Sequence, residues 1–428
     1  MRLKFGYGEG TQEVELPGEN LLGVLTANRA EPGLTGISEV LRAMGSPIGS
    51  PRLKDIVKPG ETVAVVSSDI TRPMPTALVM PAILDELYEA GIRPEDITLV
   101  FGLGIHRPHT EKERMILAGE RAWREIRVGD SNPNDIVSLG TTSRGTPVEI
   151  DRRVAQADRR VCLGNIEYHY FAGYSGGGKA LLPGVSTFSA IQANHRMMVL
   201  EGAGTGRLEG NPVREDIEEG AAIAGIDFIL NVVLDEQKKV VFAVAGDPIL
   251  AHREGCRFLD RFYLKEIANR ADIVLVSQGG APKDRNLYQT QKALDNAKNA
   301  VKKGGVIILI GSCREGLGER VFEQWMLNAS SPDELIQRIR KDFQLGGHKA
   351  AAIAMVIKDA EVYLVSEMDP VLVSKLFLRP FSSAQAALDA AFQKMGPGAS
   401  VLAMPHGGST LPRVVNPSYA GSNNGVTR

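Results

Sequence analysis

A chain of 428 residues is longer than one hydrophobic core usually serves, so two domains are predicted. With 43% hydrophobic and 23% charged residues it has a globular composition, and its formal charge of −2 gives no reason to expect nucleic acid or an anionic membrane as partner. Cys162, Cys256 and Cys313 are too few and too scattered for a disulfide framework or a CxxC metal site, and no run nears the roughly 20 apolar residues of a membrane span.

The start, MRLKFGYGEG, has no apolar leader, which with the cysteine usage predicts a cytoplasmic protein. Alternating segments at 2–7 and 12–16 lead to a weakly periodic helix, GISEVLRAM. The first strong strand is 62–67, an apolar run bounded by turn residues, as in a strand buried on both faces. It ends in SDITRPMPT, which puts Asp69, Thr71 and Arg72 at its carboxyl end, ahead of a helix over 76–90. In open α/β sheets that edge binds ligands. A strand over 97–101 repeats the pattern, with His106 in the following loop, GLGIHRPHTEKE. A third strand, 160–165, runs into IEYHYFAGYSGGGKALLPG, which carries His169, Ser175, Gly176, Gly177 and Lys179. Three strand ends of one parallel sheet thus deliver polar residues to one edge.

Beyond Gly184 a helix over 187–202 places Phe188, Ile191, His195 and Met198 on one face. Asn211-Pro212 marks another helix start, 228–233 and 239–244 read as a strand pair, and a helix over 248–270 closes the first half. A second α/β series follows, with strands at 272–277, 306–310, 362–365 and 400–404. Its first helix carries Tyr288, Gln289 and Lys292, the last two on one face. The predicted fold class is α/β: two α/β domains with mostly parallel sheets and an active site in the cleft between them. The predicted domains are 1–270 and 271–397, with the tail 398–428 packing back on the first and a polar, glycine-rich end, NPSYAGSNNGVTR.

Gly173-x4-Gly178-Lys179 satisfies the first seven positions of a P-loop. Ala180 stands where a Mg²⁺-binding Ser or Thr belongs, and Pro183-Gly184 cuts short the helix that should follow. A nucleotide hydrolase loses its metal ligand and helix dipole there. A solvated lysine on a glycine-rich turn and a cofactor seat remain open. His106 and His169 follow buried strands, and two imidazoles facing one substrate could work as acid and base. His195 is either a packed residue or a metal ligand, with no zinc-type spacing around it. Arg72 could fork onto a carboxylate, or be a surface charge beside helix-capping Asp69 and Thr71. Gln289 and Lys292 could close the crevice, or lie on a solvated helix face.

As an ordered set, DITRP, GLGIHRP, HYFAGYSGGGKALLPG, Asn194-His195 and YQTQK resemble the nickel-dependent lactate racemase family. The resemblance implies a 2-hydroxyacid racemase or epimerase that uses a nickel-pincer nucleotide. It assigns Lys179 as the lysine tethering that cofactor through a thioamide, and His195 as the protein ligand to nickel. His106 and His169 become the acid/base pair, and Arg72, Gln289 and Lys292 orient substrate. Asp69, Thr71, Ser175, Gly176, Gly177 and Tyr288 fall to the cofactor pocket. The implied reaction is a proton-coupled hydride transfer through a planar 2-keto acid. Separate cofactor-making enzymes are the implied partners. Neither Trp123 nor Trp325 can be assigned to the pocket wall from sequence. Lactate is the first substrate to consider.

Overall fold

The structure is a computed structural model that describes residues 1–26, 28, 33–235 and 237–415. The glycine-rich end from Asn416 lies outside the described residues. The chain divides into two compact units, one drawn from Ala30–Arg261, the other from Met1–Arg29 with Phe262–Arg428.

The unit from Ala30–Arg261 is built on β1 (Val63–Ser68), β2 (Ile97–Gly102), β3 (Arg127–Asp130), β4 (Arg159–Asn165), β5 (Phe228–Leu234) and β6 (Val240–Gly246). Their order is β6-β5-β4-β1-β2-β3, parallel except for the β5–β6 pair. Val63, Ala64, Val65 and Val66 are all buried, which explains the continuous apolar run of β1: both faces of the sheet are covered. Val65, Leu99, Phe101, Val161, Leu163 and Leu230 share one core with Val79, Ile83 and Leu87 of the helix Thr76–Glu89. Because β4, β1 and β2 are neighbours and parallel, the loops after them emerge side by side at one edge. Sheet order therefore places the site.

The other unit holds a six-stranded, all-parallel sheet in the order Arg379–Phe381, Glu361–Val365, Val301–Ile310, Ala271–Ser277, Val401–Met404, Leu21–Val24. The N-terminal hairpin, Arg2–Tyr7 with Gly10–Glu15, contributes Phe5 and Val14 to its core against Ile273, Ile308 and Leu388.

This corrects the predicted division of the chain. Residues 1–24 belong with the second α/β series, because Leu21–Val24 is the edge strand of its sheet. The stretch 398–415 also stays there: Val401–Met404 pairs with Ile273–Val276, and Leu411–Val414 with Leu264–Ile267. The helix predicted to run to 270 ends at Tyr263, and the chain then enters that strand. The helix over 187–202 is shorter as well, Phe188–His195 followed by a 3₁₀ turn, and Phe188 faces solvent. Sequence periodicity cannot see a strand whose partner lies a hundred residues away.

Candidate active site

Asp69 follows β1 and is buried. Its Oδ2 lies 2.5 Å from His106 Nδ1, and its Oδ1 accepts from the Thr71 hydroxyl at 2.7 Å and the Thr71 amide at 3.2 Å. Its carboxyl is held below the usual range: the His106 and Thr71 hydrogen bonds outweigh desolvation, the largest single influence, which pushes the other way. A carboxylate only accepts, so His106 carries a proton on Nδ1, and in the neutral ring Nε2 keeps its lone pair. Asp69 and Thr71 thus orient the His106 ring.

After β4 the chain makes a small hairpin, Tyr168–His169 against Gly173–Tyr174, then a 3₁₀ turn over Gly177–Ala180 that carries Lys179. A four-residue 3₁₀ turn is not the helix a P-loop needs, which removes the phosphate-loop reading on geometry as well as on Ala180. Side chains from three other elements clamp the hairpin backbone. From the helix Pro212–Ala224, fully buried Arg214 donates to the carbonyls of Ala172 (3.1 Å) and Tyr174, and the helix cap Asn211 donates to Phe171 O at 2.8 Å. From the helix Leu250–Tyr263, His252 donates to Ser175 O at 2.8 Å. From β5, Asn231 Oδ1 accepts from Gly177 N at 2.7 Å. Ser175 spends its hydroxyl inside, donating to Asn165 O at 2.6 Å and accepting from Glu167 N at 2.9 Å.

The glycines answer to the same packing. Gly177 has φ +59°, and a Cβ there would stand 3.0 Å from the His252 ring; at Gly176 it would meet Asn231 Oδ1 at 2.7 Å. Protein, not ligand, fills those spaces. Ser175, Gly176 and Gly177 therefore fix the loop.

The cations of this loop are poorly compensated. Desolvation, then Arg214 and Arg72, push the Lys179 amine well below the ordinary lysine value, with Glu167 opposing. Desolvation, then Lys179 and Arg72, do the same to the His169 imidazole. Its Nδ1 accepts from Ala172 N at 3.2 Å, so the neutral ring bears its proton on Nε2. Arg72 stands 3.9 Å from Glu167, a half-exposed pair that a stronger carboxylate partner can displace.

The helix Phe188–His195 ends in His195, which is buried. Its Nδ1 lies 2.9 Å from Asn194 Oδ1. Asn194 cannot be flipped, because its amide nitrogen donates to Asp216 Oδ2 at 2.7 Å and Val213 O at 3.2 Å. The ring proton is thereby placed on Nδ1, the tautomer that offers Nε2 to a metal. The Phe171 ring packs edge-on with both the His169 and the His195 rings, at centroid distances of 4.4 and 5.0 Å. No cluster of three His, Cys, Asp or Glu residues suited to a metal exists among the described residues.

Gln289 and Lys292 lie on the helix Leu287–Ala297 of the other unit, Gln289 half-buried and Lys292 exposed, one turn apart as predicted. Its first turn is braced by Lys349, which donates to Tyr288 O at 2.5 Å and sits 4.1 Å above the Tyr288 ring. Desolvation and neighbouring Lys292 bring the buried Lys349 amine down to about 7. Trp325 packs on Gly347 and Trp123 on the sheet core, so both indoles are committed to packing. Sequence reasoning missed Glu167, Phe171, Arg214, Asn231, His252 and Lys349.

The chain is similar to known proteins. The model of the lactate racemase N-terminal domain matches residues 7–206, and that of the lactate racemase C-terminal domain matches 267–411. A lactate racemase of Thermoanaerobacterium thermosaccharolyticum is 32% identical over 423 residues, spanning 96% of this chain and 99% of that protein. One of Lactiplantibacillus plantarum is 30% identical over 421 residues, spanning 94% and 97%. The solved structure of the lactate racemase apoprotein from T. thermosaccharolyticum superposes with a TM-score of 0.84 at 31% identity, over 96% of this chain and 100% of that one. A Thermotoga maritima protein shares the fold with a TM-score of 0.59 at 20% identity.

Proposed function

Since this chain belongs to the lactate racemase family and is an isomerase, we propose that it inverts C2 of a 2-hydroxyacid, with lactate the first substrate to test. We further propose a nickel-pincer nucleotide bound through Lys179, with His195 as the protein's ligand to nickel. The observation that carries this reading is the pairing of a desolvated lysine, its amine pushed well below the ordinary value, with a tautomer-locked histidine. An amine must be neutral to be acylated, and desolvation beside Arg214 and Arg72 favours the neutral form of Lys179. One imidazole with its lone pair set by Asn194 suits a metal whose remaining ligands come from the cofactor. The cations Arg72 and Arg214 suit an anionic nucleotide and a carboxylate substrate.

When bound, the cofactor supplies a centre that accepts the C2 hydride and returns it. The rest falls to the chain. Arg72 releases Glu167 and takes the substrate carboxylate, and Gln289 and Lys292 are the further residues assigned to hold substrate. His106, oriented by Asp69, takes the hydroxyl proton at Nε2 and becomes an imidazolium, while His169 returns a proton to the oxygen from its own imidazolium form, which requires Nδ1 to release the Ala172 amide. Inversion from the other enantiomer exchanges these roles, with neutral His169 as the base and the His106 imidazolium as the acid. The partners implied are the small hydroxyacid and the enzymes that make the nucleotide.

The test is intact mass and nickel content of protein produced alongside cofactor-making enzymes. A covalent adduct with about one nickel per chain is expected, and Lys179→Ala removes it. Mg²⁺-dependent ATP hydrolysis with no adduct would overturn the reading in favour of a nucleotide hydrolase.

A further inference from the structure

The turn that follows β1 is held in an unusual way. Ile70 is 44% exposed, so side-chain burial does not fix it. Its amide donates to His109 Nε2 at 3.0 Å. His109 is 5% exposed and edge-on to Phe101, and its Nδ1 lies 2.6 Å from Asp130 Oδ1 at the end of β3. The His109 amide donates to Asp130 Oδ2 at 2.8 Å. Arg114 closes the group, donating to Asp130 Oδ2 at 3.3 Å and His109 O at 3.1 Å. The residue before Ile70 is Asp69, whose carboxylate orients His106. The Asp69 carbonyl accepts from the Arg72 amide at 3.0 Å, so the same turn also presents Arg72.

We propose that His109 is a positioning residue for the His106–Asp69 pair, acting through the Ile70 backbone. A single imidazole suits this position, since it offers an acceptor to Ile70 on one nitrogen and a donor to Asp130 on the other. Phe would fill the same volume and do neither. The sheet edge at β3 thereby sets the position of a carboxylate on the loop after β1, two strands away. The inference rests on the proposed acid–base role of His106, so its test includes a measurement that needs neither cofactor nor turnover.

Three full-length variants decide it. His109→Phe removes both bonds, His109→Asn keeps a donor near the Nδ1 position only, and His109→Gln keeps an acceptor near the Nε2 position. The first readout is the Nδ1–H proton resonance of His106 in protein labelled with ¹⁵N-histidine, assigned by its loss in His106→Gln. His109→Phe and His109→Asn are expected to shift or broaden it, and His109→Gln to leave it near its wild-type position. The second readout is racemisation by cofactor-loaded enzyme. kcat is expected to fall about 100-fold in the Phe and Asn variants, the order of effect of a misplacement near 1 Å. KM should stay within about threefold, and His109→Gln should recover most of kcat. Should His109→Phe fail to fold, the Asn and Gln pair still decides. Equal resonances and equal kcat in those two would overturn the proposal. If wild-type enzyme inverts no hydroxyacid, the functional reading fails, and the resonance alone decides the role of His109.

Discussion

Two residues define the chemistry proposed here, and each can be removed separately. Lys179 is an amine pushed well below its usual value by desolvation and by Arg214 and Arg72. His195 has its Nδ1 proton fixed by Asn194, itself fixed by Asp216, which also accepts from the Thr142 and Thr146 hydroxyls. Asn194→Ala should therefore lower nickel affinity about 10–100-fold, the usual cost of losing a partner behind a metal ligand, while the Lys179 adduct persists by mass. Parallel loss of adduct and nickel would mean that Asn194 holds the fold instead. Asp69→Asn should cut kcat by about 10²–10⁴, as when a catalytic imidazole loses its orienting carboxylate. Enantiomers have equal free energies, so kcat/KM must fall by the same factor in both directions. An unchanged kcat in Asp69→Asn would contradict the orienting role of Asp69.

At the scale of elements, the loop carrying Lys179 works because β5 and the helices Pro212–Ala224 and Leu250–Tyr263 supply buried hydrogen-bonding side chains to its backbone. Gly177→Ala tests this. With φ +59° and the His252 ring 3.0 Å from a new Cβ, it should destabilise the protein by about 1–3 kcal/mol in denaturant unfolding. An unchanged midpoint would show that the loop yields. The strands were legible in sequence because β1, β2 and β4 are buried on both faces and so read as unbroken apolar runs. The Asn211 cap was legible because capping is local chemistry, and its side chain accepts the amides of its helix start. Arg214, His109 and His252 were not legible. Each acts through a backbone group tens of residues away, and nothing beside them in sequence signals it.

Across the whole molecule, buried bases set the response to acid. Desolvation pushes His252 well below 6.5, and desolvation followed by the charge of Lys349 brings His348 down to about 3. Between that native value and about 6.5 the unfolded chain binds the proton and the native chain does not. Stability therefore rises with pH through the window and is lost as pH falls below about 6.5, by up to about 1.4 kcal/mol per pH unit for each such group. His348→Gln should flatten that slope in urea titrations between about pH 4 and pH 6, whereas an unaltered slope would mean that His348 charges in the native state. The order of the first three motifs was readable because they follow strands β1, β2 and β4 of one sheet. The division of the chain was not, since Leu21–Val24 finds its partner only in the strand Val401–Met404, near the other end of the sequence.

The central claim is that a hydride, not a proton, leaves and rejoins C2. The direct measurement follows lactate bearing deuterium at C2 through cofactor-loaded enzyme in ordinary water, with other chiral 2-hydroxyacids run in parallel. The predicted result is product of inverted configuration that keeps its deuterium, and no turnover in Lys179→Ala. Inversion with the label washed out to solvent would contradict the claim, as would the absence of inversion with every hydroxyacid tried.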